Sequence, residues 1–271
     1  MKPVKIDNYE QYVQLVEQYN RKGRLTNDYL QNEAADLIIH DRLFAISGQD
    51  NAILLVQKDG FSRIYYYINN PEEILVLPEG EFVTEILFRG ENAPEAEVKW
   101  LADMGFKKNL VRDQYFAKYT SLSAPIMLID AKIELAQTIE EVRWAAHLFN
   151  DSFDKWSGDF VSDDMCELLF AEQQVLVAKD MSGKLFGALH FEKRQGVCWL
   201  NHVAVIPEAR GKKIGRGLTE AYIEQGHVDD NSRYMLWVQR QNEPAVRMYQ
   251  QAGFKYLNKS TLSMLKINNH S

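Results

Sequence analysis

Cysteine is scarce. The 271 residues hold two, Cys166 and Cys198, far apart in the chain. They fit no metal-ligand spacing, so neither a disulfide framework nor a bound metal is expected. Two reduced, mostly buried thiols are expected instead. Long apolar runs are also missing. None is long enough to span a bilayer, and the opening stretch MKPVKIDNYEQ has no apolar segment of the kind a signal peptide carries. The expected location is therefore cytoplasmic, without a membrane partner. A basic excess is absent as well: Lys plus Arg is 31 against 38 Asp plus Glu, a net charge of -7. A general nucleic-acid binder needs many phosphate-facing cations, so no nucleic-acid partner is expected. What is present is ordinary for a globular chain, with 46% hydrophobic and 25% charged residues. The length suits two domains of about 130 residues each, or one large one.

The stretch Thr120 to Pro125 reads TSLSAP, which is small, polar and closed by proline. It marks a boundary between domains 1–122 and 123–271. Downstream, the pattern predicts a strand at Ile133 to Ala136 and a helix capped by Thr138 and running to Asn150. A second helix follows at Ser162 to Ala171. Strands at Val175 to Ala178 and Leu185 to Phe191 form a hairpin, with another strand at Val197 to Val205. A helix at Ile214 to Gln225 is stopped by Gly226. A strand at Tyr234 to Val238, a helix at Pro244 to Ala252 capped by Gly253, and two short strands complete the chain. The order βααβββαβαββ is an α/β arrangement, a mixed sheet flanked by helices.

The first half reads similarly. Helices are predicted at Tyr9 to Arg21, Asp28 to His40 and Ala96 to Met104. Strands are predicted at Leu43 to Ile46, Ala52 to Gln57, Arg63 to Ile68, Phe82 to Phe88 and Tyr115 to Tyr119. A local pattern recurs between the halves. Asn92-Ala93-Pro94 leads through a helix to Gly105-Phe106-Lys107; Asn242-Glu243-Pro244 leads through a helix to Gly253-Phe254-Lys255. This reads as a degenerate internal repeat.

Residues 203–218 read VAVIPEARGKKIGRGL. An apolar strand enters a loop holding Gly211, Gly215 and Gly217, and the loop opens an amphipathic helix. Glycines let backbone N–H groups approach an anion closely, and a helix N-terminus favours negative charge. Arg210, Lys212, Lys213 and Arg216 crowd the same place, where cations oppose the helix dipole by a few tenths to about 1 kcal/mol each. An acidic chain that gathers four cations there has an anion to hold. A solvated turn is the common meaning of a charge run, but the glycines and the dipole conflict together argue against it. The GxxxxGK[ST] spacing of a nucleotide-triphosphate loop is absent. A dinucleotide GxGxxG fails too, because its third glycine would fall at Glu220.

Arg210-Gly211-Lys212-Lys213-Ile214-Gly215 resembles the acyl-CoA loop of the GNAT superfamily, R/Q-x-x-G-x-G/A, with Lys213 standing where that family has glycine. Asn242, Ala245, Tyr249, Gly253 and Phe254 resemble a second GNAT signature at the expected distance. The resemblance covers about Ile133 to Lys266 and implies two tandem GNAT-like domains, the first degenerate. It implies acetyl-CoA as co-substrate, lying between strands 197–205 and 234–238. Backbone groups of Val203 and Val205 would hold the pantetheine arm. Backbone N–H groups from Lys212 through Ile214 and Gly215 to Gly217 would cradle the pyrophosphate, and Asn242 would touch the cofactor.

The same resemblance gives Tyr249 the role of acid or thiolate stabiliser, with a plain core tyrosine as the rival role. His202 is a candidate base because it titrates near neutrality when unperturbed. His190 and Glu192 lie on one face of the neighbouring strand. The expected activity is transfer of an acetyl group to an amine, on a small molecule or a peptide. Two other readings stay open: a non-catalytic acyl-CoA-binding or scaffold module, and an aminoacyl or peptidyl transferase with another donor. The first half has NNPEEILVLPEGE between Ile68 and Phe82, with no basic glycine loop, and Leu101 stands where Tyr249 stands in the repeat. It is expected to shape a substrate cleft or to serve as scaffold. Phe153, Trp156 and Phe160 are candidates for an apolar acceptor pocket or for core. The sequence does not give the oligomeric state.

Overall fold

The computed structural model describes residues 2–122, 131–156 and 160–267. In chain order its elements are β1 (Val4–Lys5), α1 (Tyr9–Tyr19), β2 (Leu25–Thr26), α2 (Ala34–Ile39), β3 (Leu43–Ser47), β4 (Ala52–Lys58) and β5 (Phe61–Ile68). There follow β6 (Phe82–Phe88), α3 (Glu95–Asp103), β7 (Lys107–Lys118), β8 (Lys132–Leu135), α4 (Ile139–Ser152), α5 (Asp163–Ala171) and β9 (Val175–Lys179). The rest are β10 (Leu185–Arg194), β11 (Val197–Val205), α6 (Ile214–Gly226), β12 (Arg233–Gln239), α7 (Glu243–Gln251) and β13 (Lys255–Lys266).

The chain packs as two compact units, Met1–Val111 with Lys259–Ser271, and Arg112–Asn258. In the boundary stretch Thr120 to Pro125, residues 123–125 lie outside the described residues. In the first unit the strand order is β1-β3-β4-β5-β6-β13, with β2 beside β5. There the β5–β6 pairing is parallel, and β1–β3, β3–β4, β4–β5, β2–β5 and β6–β13 are antiparallel. One face of this sheet packs its apolar residues with α1 and α2, including Tyr12, Tyr19 and Leu37. The other face packs with α3 through Trp100 and Leu101. In the second unit the order is β7-β12-β11-β10-β9-β8, and β11–β12 is the parallel pair. One face packs with α6 and α7 through Leu218, Tyr222 and Tyr249. The other packs with α4 and α5 through Val142, Phe149 and Leu169.

The caps follow the sequence. Thr138 accepts the N–H of Glu141, and Ser162 accepts that of Met165, so each satisfies an otherwise orphan donor of a first turn. Three segments differ from expectation. The helix expected at Asp28 to His40 is a 3-10 turn, Leu30–Asn32, followed by α2, because the Asp28 carboxylate takes the Leu30 N–H at 2.8 Å and bends the entry. The strand expected at Tyr115 to Tyr119 begins eight residues earlier, as β7. The two closing strands are one, β13, in which Asn258 takes a φ of 52° and the strand runs on; asparagine tolerates that conformation better than most residues.

The repeat has a structural counterpart. Gly105 has a φ of 92° and Gly253 a φ of 101°. After α3, Phe106 N–H donates to the Leu101 carbonyl at 3.0 Å; after α7, Phe254 N–H donates to the Tyr249 carbonyl at 3.0 Å. Both helices thus end on the same left-handed cap.

Candidate active site

In the second unit, β11 and β12 pair only at Cys198–Tyr234, Trp199–Met235 and Leu200–Leu236. Beyond Leu200 and Leu236 the parallel ladder stops while both strands continue, so they splay apart. Against β10 the register jumps from His202–His190 to Leu200–Phe191, leaving Asn201 as an extra residue. Such a bulge bends its strand and re-aims the side chains after it. Past the bulge, Val203 and Val205 pack toward α6, and Ala204 packs toward α4 and α5.

The strand then runs through a 3-10 turn, Pro207–Ala209, into the loop. Lys213 is the N-cap of α6 and has left-handed geometry, φ 62° and ψ 12°. Within the loop, Lys212 N–H donates to Ala209 at 3.4 Å and Gly217 N–H to Lys213 at 3.0 Å. The N–H groups of Gly211, Lys213, Ile214, Gly215 and Arg216 have no backbone partner among the described residues. A helix start leaves its first N–H groups free, and a left-handed residue beside them turns successive groups into an anion-binding concavity. The cations divide. The Arg216 side chain pairs with Glu220, which lies one turn along α6, and Arg210 Nε donates to the Val205 carbonyl at 3.3 Å. Lys212 and Lys213 are exposed and have no ion-pair partner among the described residues. A Cβ added at Gly215 would sit in ordinary van der Waals contact with Met248 Sδ at 3.5 Å and Val205 Cγ2 at 3.8 Å.

Tyr249 is 3% exposed and stands in the apolar core under α7. Burial pushes its hydroxyl well above the ordinary tyrosine range, so it stays protonated. Asn242 caps α7 by accepting the Ala245 N–H at 3.3 Å and is exposed.

The structure brings His202 and His190 together. Both are buried, and their Nδ1 atoms are 3.2 Å apart. His202 stacks on Phe149, with ring centroids 5.2 Å apart, and touches Phe153 at 5.3 Å. Glu192 is elsewhere, beside Arg194 at 3.8 Å. Phe153 and Phe160 are exposed, 40% and 58%, and Lys155 lies over the Trp156 ring at 5.0 Å. Residues 157–159 of that stretch lie outside the described residues. Both cysteines are buried and unpaired, and burial raises the Cys198 thiol to about 12, so it is no nucleophile. Among the described residues no group of His, Cys, Asp and Glu fits a metal. No described helix is long and apolar enough to cross a membrane.

The first unit has the matching splay, and it is filled. β5 and β6 pair only at Ser62–Phe82 and Arg63–Val83. Between the diverging strands lies the buried Asn27. Its Oδ1 accepts the Tyr66 N–H at 2.9 Å, and its Nδ2 donates to the Glu85 carbonyl and to Thr84 Oγ1, both at 2.9 Å. Thr84 Oγ1 in turn donates to the Ile64 carbonyl at 2.9 Å. Asn27 and Thr84 thus satisfy the Tyr66 N–H and the Glu85 and Ile64 carbonyls at this splay.

In the second unit a mixed sheet has one parallel pair splayed open above a helix N-terminus, the arrangement of a GNAT-type fold. Residues 135–254 match the model of the acetyltransferase (GNAT) family. The chain resembles a solved tandem GNAT protein from the clavulanic acid biosynthesis pathway, with a TM-score of 0.60 at 13% identity, covering 97% of each chain. It also resembles a GCN5-related N-acetyltransferase from Sphaerobacter thermophilus, with a TM-score of 0.57 at 14% identity over 81% of each chain. These likenesses are of fold. A mycothiol acetyltransferase from Paenarthrobacter aurescens is 37% identical over 94 residues, 31% of this chain and 28% of that protein. A UPF0157 protein, YqkA, from Bacillus subtilis is 34% identical over 74 residues, 27% of this chain and 21% of that protein. The chain therefore spans under a third of the length of either curated relative.

Proposed function

We propose that the Arg112–Asn258 unit binds acetyl-CoA and transfers its acetyl group to a primary amine, on a small molecule or a peptide. One observation carries this reading: the β11–β12 splay leads into a loop in which five backbone N–H groups and two lysine side chains have no partner among the described residues. That set fits a pyrophosphate. Backbone groups of Val203 and Val205 flank the opening and suit an amide-bearing arm, and Asn242 borders it at the start of α7. When bound, acetyl-CoA supplies the acetyl group as a thioester.

The chain's own residues handle the protons. As the amine nitrogen bonds the acetyl carbon, His202 accepts a proton from that nitrogen, with His190 behind it. As the carbon–sulfur bond breaks, the Tyr249 hydroxyl hydrogen-bonds the departing thiolate, and the proton taken up by His202 passes through solvent to that sulfur, so an amide and a free thiol result. With its hydroxyl raised by burial, Tyr249 stabilises the thiolate by hydrogen bonding more than by full proton transfer. Its place in an apolar core also supports the second reading, a module that binds acyl-CoA without turnover. Cytoplasmic location and the lack of nucleic-acid and membrane partners belong to the same proposal.

Calorimetric titration with acetyl-CoA tests the binding, beside Gly215→Glu. Micromolar affinity, about -8 kcal/mol, is expected for the wild type. The variant places a carboxylate beside the loop that would hold the pyrophosphate, so it should not bind, and its Tm checks that it folds. A wild type that does not bind would sink the proposal.

A further inference from the structure

Asn201 is the extra residue of the β11 bulge. It lies between Leu200, which pairs with Phe191, and His202, which pairs with His190. Strict alternation puts neighbouring side chains on opposite faces; a bulge breaks that rule and re-aims them. Here the Asn201 Nδ2 comes within 3.4 Å of His190 Nε2. His190 and His202 meet through their Nδ1 atoms at 3.2 Å. The three side chains therefore form one chain of hydrogen bonds, in the order Asn201, His190, His202.

Such a chain has a direction. A neutral imidazole carries one hydrogen and one lone pair on its two ring nitrogens, and an amide nitrogen only donates. With Asn201 Nδ2 donating to His190 Nε2, His190 carries its hydrogen on Nδ1 and donates it to His202 Nδ1. His202 then carries its own hydrogen on Nε2. A half-turn of the amide puts Oδ1 in the place of Nδ2 and reverses every link. His190 then donates from Nε2 to Oδ1, His202 donates from Nδ1 to His190, and His202 keeps a lone pair on Nε2. The rings are held against turning over. Both are 6% exposed, they stack on each other with centroids 5.5 Å apart, and Phe149 stacks on His202 at 5.2 Å.

We propose that Asn201 is a positioning residue: the orientation of its amide decides whether His202 meets the acceptor amine as a hydrogen donor or as a base at Nε2. The inference rests on the acetyl-transfer reading above, in which His202 takes a proton. His202 Nδ1 is committed to His190 in both directions, so the incoming proton goes to Nε2. It finds a lone pair there when the amide oxygen faces His190. The direction in the structure, with the amide nitrogen toward His190, is the resting form. In the reversed form no link breaks on protonation. His202 still donates from Nδ1 to His190, and His190 to Oδ1, so the polarised chain stabilises the added charge.

The test reads the tautomers directly, by heteronuclear NMR of isotope-labelled histidine rings at a pH above their titration. It compares the wild type, Asn201→Asp and Asn201→Leu without ligand. The wild type should carry hydrogens on His190 Nδ1 and His202 Nε2. A carboxylate only accepts, so Asn201→Asp should move them to His190 Nε2 and His202 Nδ1. Asn201→Leu ends the chain without a partner and should show a mixture. With phenethylamine as acceptor, Asn201→Leu should lose about tenfold or more in kcat, part of what a positioned base contributes, at unchanged acetyl-CoA affinity. Asn201→Asp should recover most of that loss. Wild-type tautomers in Asn201→Asp would overturn the inference whatever the turnover. So would an Asn201→Leu with wild-type kcat, or one whose kcat falls only together with acetyl-CoA affinity and Tm. A wild type that binds no acetyl-CoA would instead strike the acetyl-transfer reading, and the tautomers would still show whether Asn201 sets the chain.

Discussion

His190 and His202 face each other across the β10–β11 ladder with their Nδ1 atoms 3.2 Å apart. One nitrogen must carry the hydrogen and the other the lone pair. A proton on both Nδ1 atoms breaks the bond between them. His202→Phe keeps a ring on Phe149 but removes the base. Turnover should fall about 10²-fold to 10⁴-fold, the range a positioned base contributes, while calorimetry shows acetyl-CoA affinity unchanged. His190→Phe should cost less, since it acts through its neighbour. Full activity in His202→Phe would hand the proton to water.

Tyr249→Phe separates an enzyme from a binding module. The hydroxyl has no hydrogen-bonding partner among the described residues, so its loss should leave Tm unchanged or slightly raised. If Tyr249 stabilises the departing sulfur, kcat should drop by about 10²-fold while the calorimetric affinity for acetyl-CoA stays put. An unaltered kcat would leave Tyr249 as core alone.

Much of this was legible in the sequence. The loop from Arg210 to Gly217 and the α7 signature stand in contiguous residues, and their chemistry is local. The caps at Thr138, Ser162 and Asn242 were readable for the same reason. The His190–His202 contact was not, because strict alternation counts no extra residue and Asn201 is one. The 3-10 turn at Leu30–Asn32 escaped because its cause, the Asp28 carboxylate, competes with a helical period that runs on past it. The long strands β7 and β13 escaped for a further reason. Each runs from one compact unit into the other, and local periodicity does not register which sheet a strand completes.

Asn27 does within the first unit what a bound arm would do within the second. Asn27→Leu fills similar volume but leaves the Tyr66 N–H and the Glu85 carbonyl unpaired in a buried place. A loss of about 2–4 kcal/mol is expected from two such groups, read as a lower midpoint in urea unfolding. The filled splay also fixes the stoichiometry, so wild type should take up one acetyl-CoA per chain by calorimetry. Two equivalents would mean that Asn27 yields its place.

Glu97 on α3 is 7% exposed and accepts a short hydrogen bond from Tyr66. Burial raises its carboxyl above the ordinary value, against the opposing pull of that hydrogen bond. A raised folded pKa means that the folded state prefers the proton more than the unfolded state does. The stabilisation is then complete below the unfolded pKa and is lost as pH rises through the folded pKa. At neutral pH the charged carboxylate is therefore a burden to the fold. Glu97→Gln keeps an oxygen for the Tyr66 hydroxyl and removes the charge. Its Tm should exceed that of wild type at pH 7.5, and the gap should close as both are taken to pH 4. A variant that is less stable at every pH would show that the Tyr66 bond needs the ionised carboxylate, which reverses the sign of the argument.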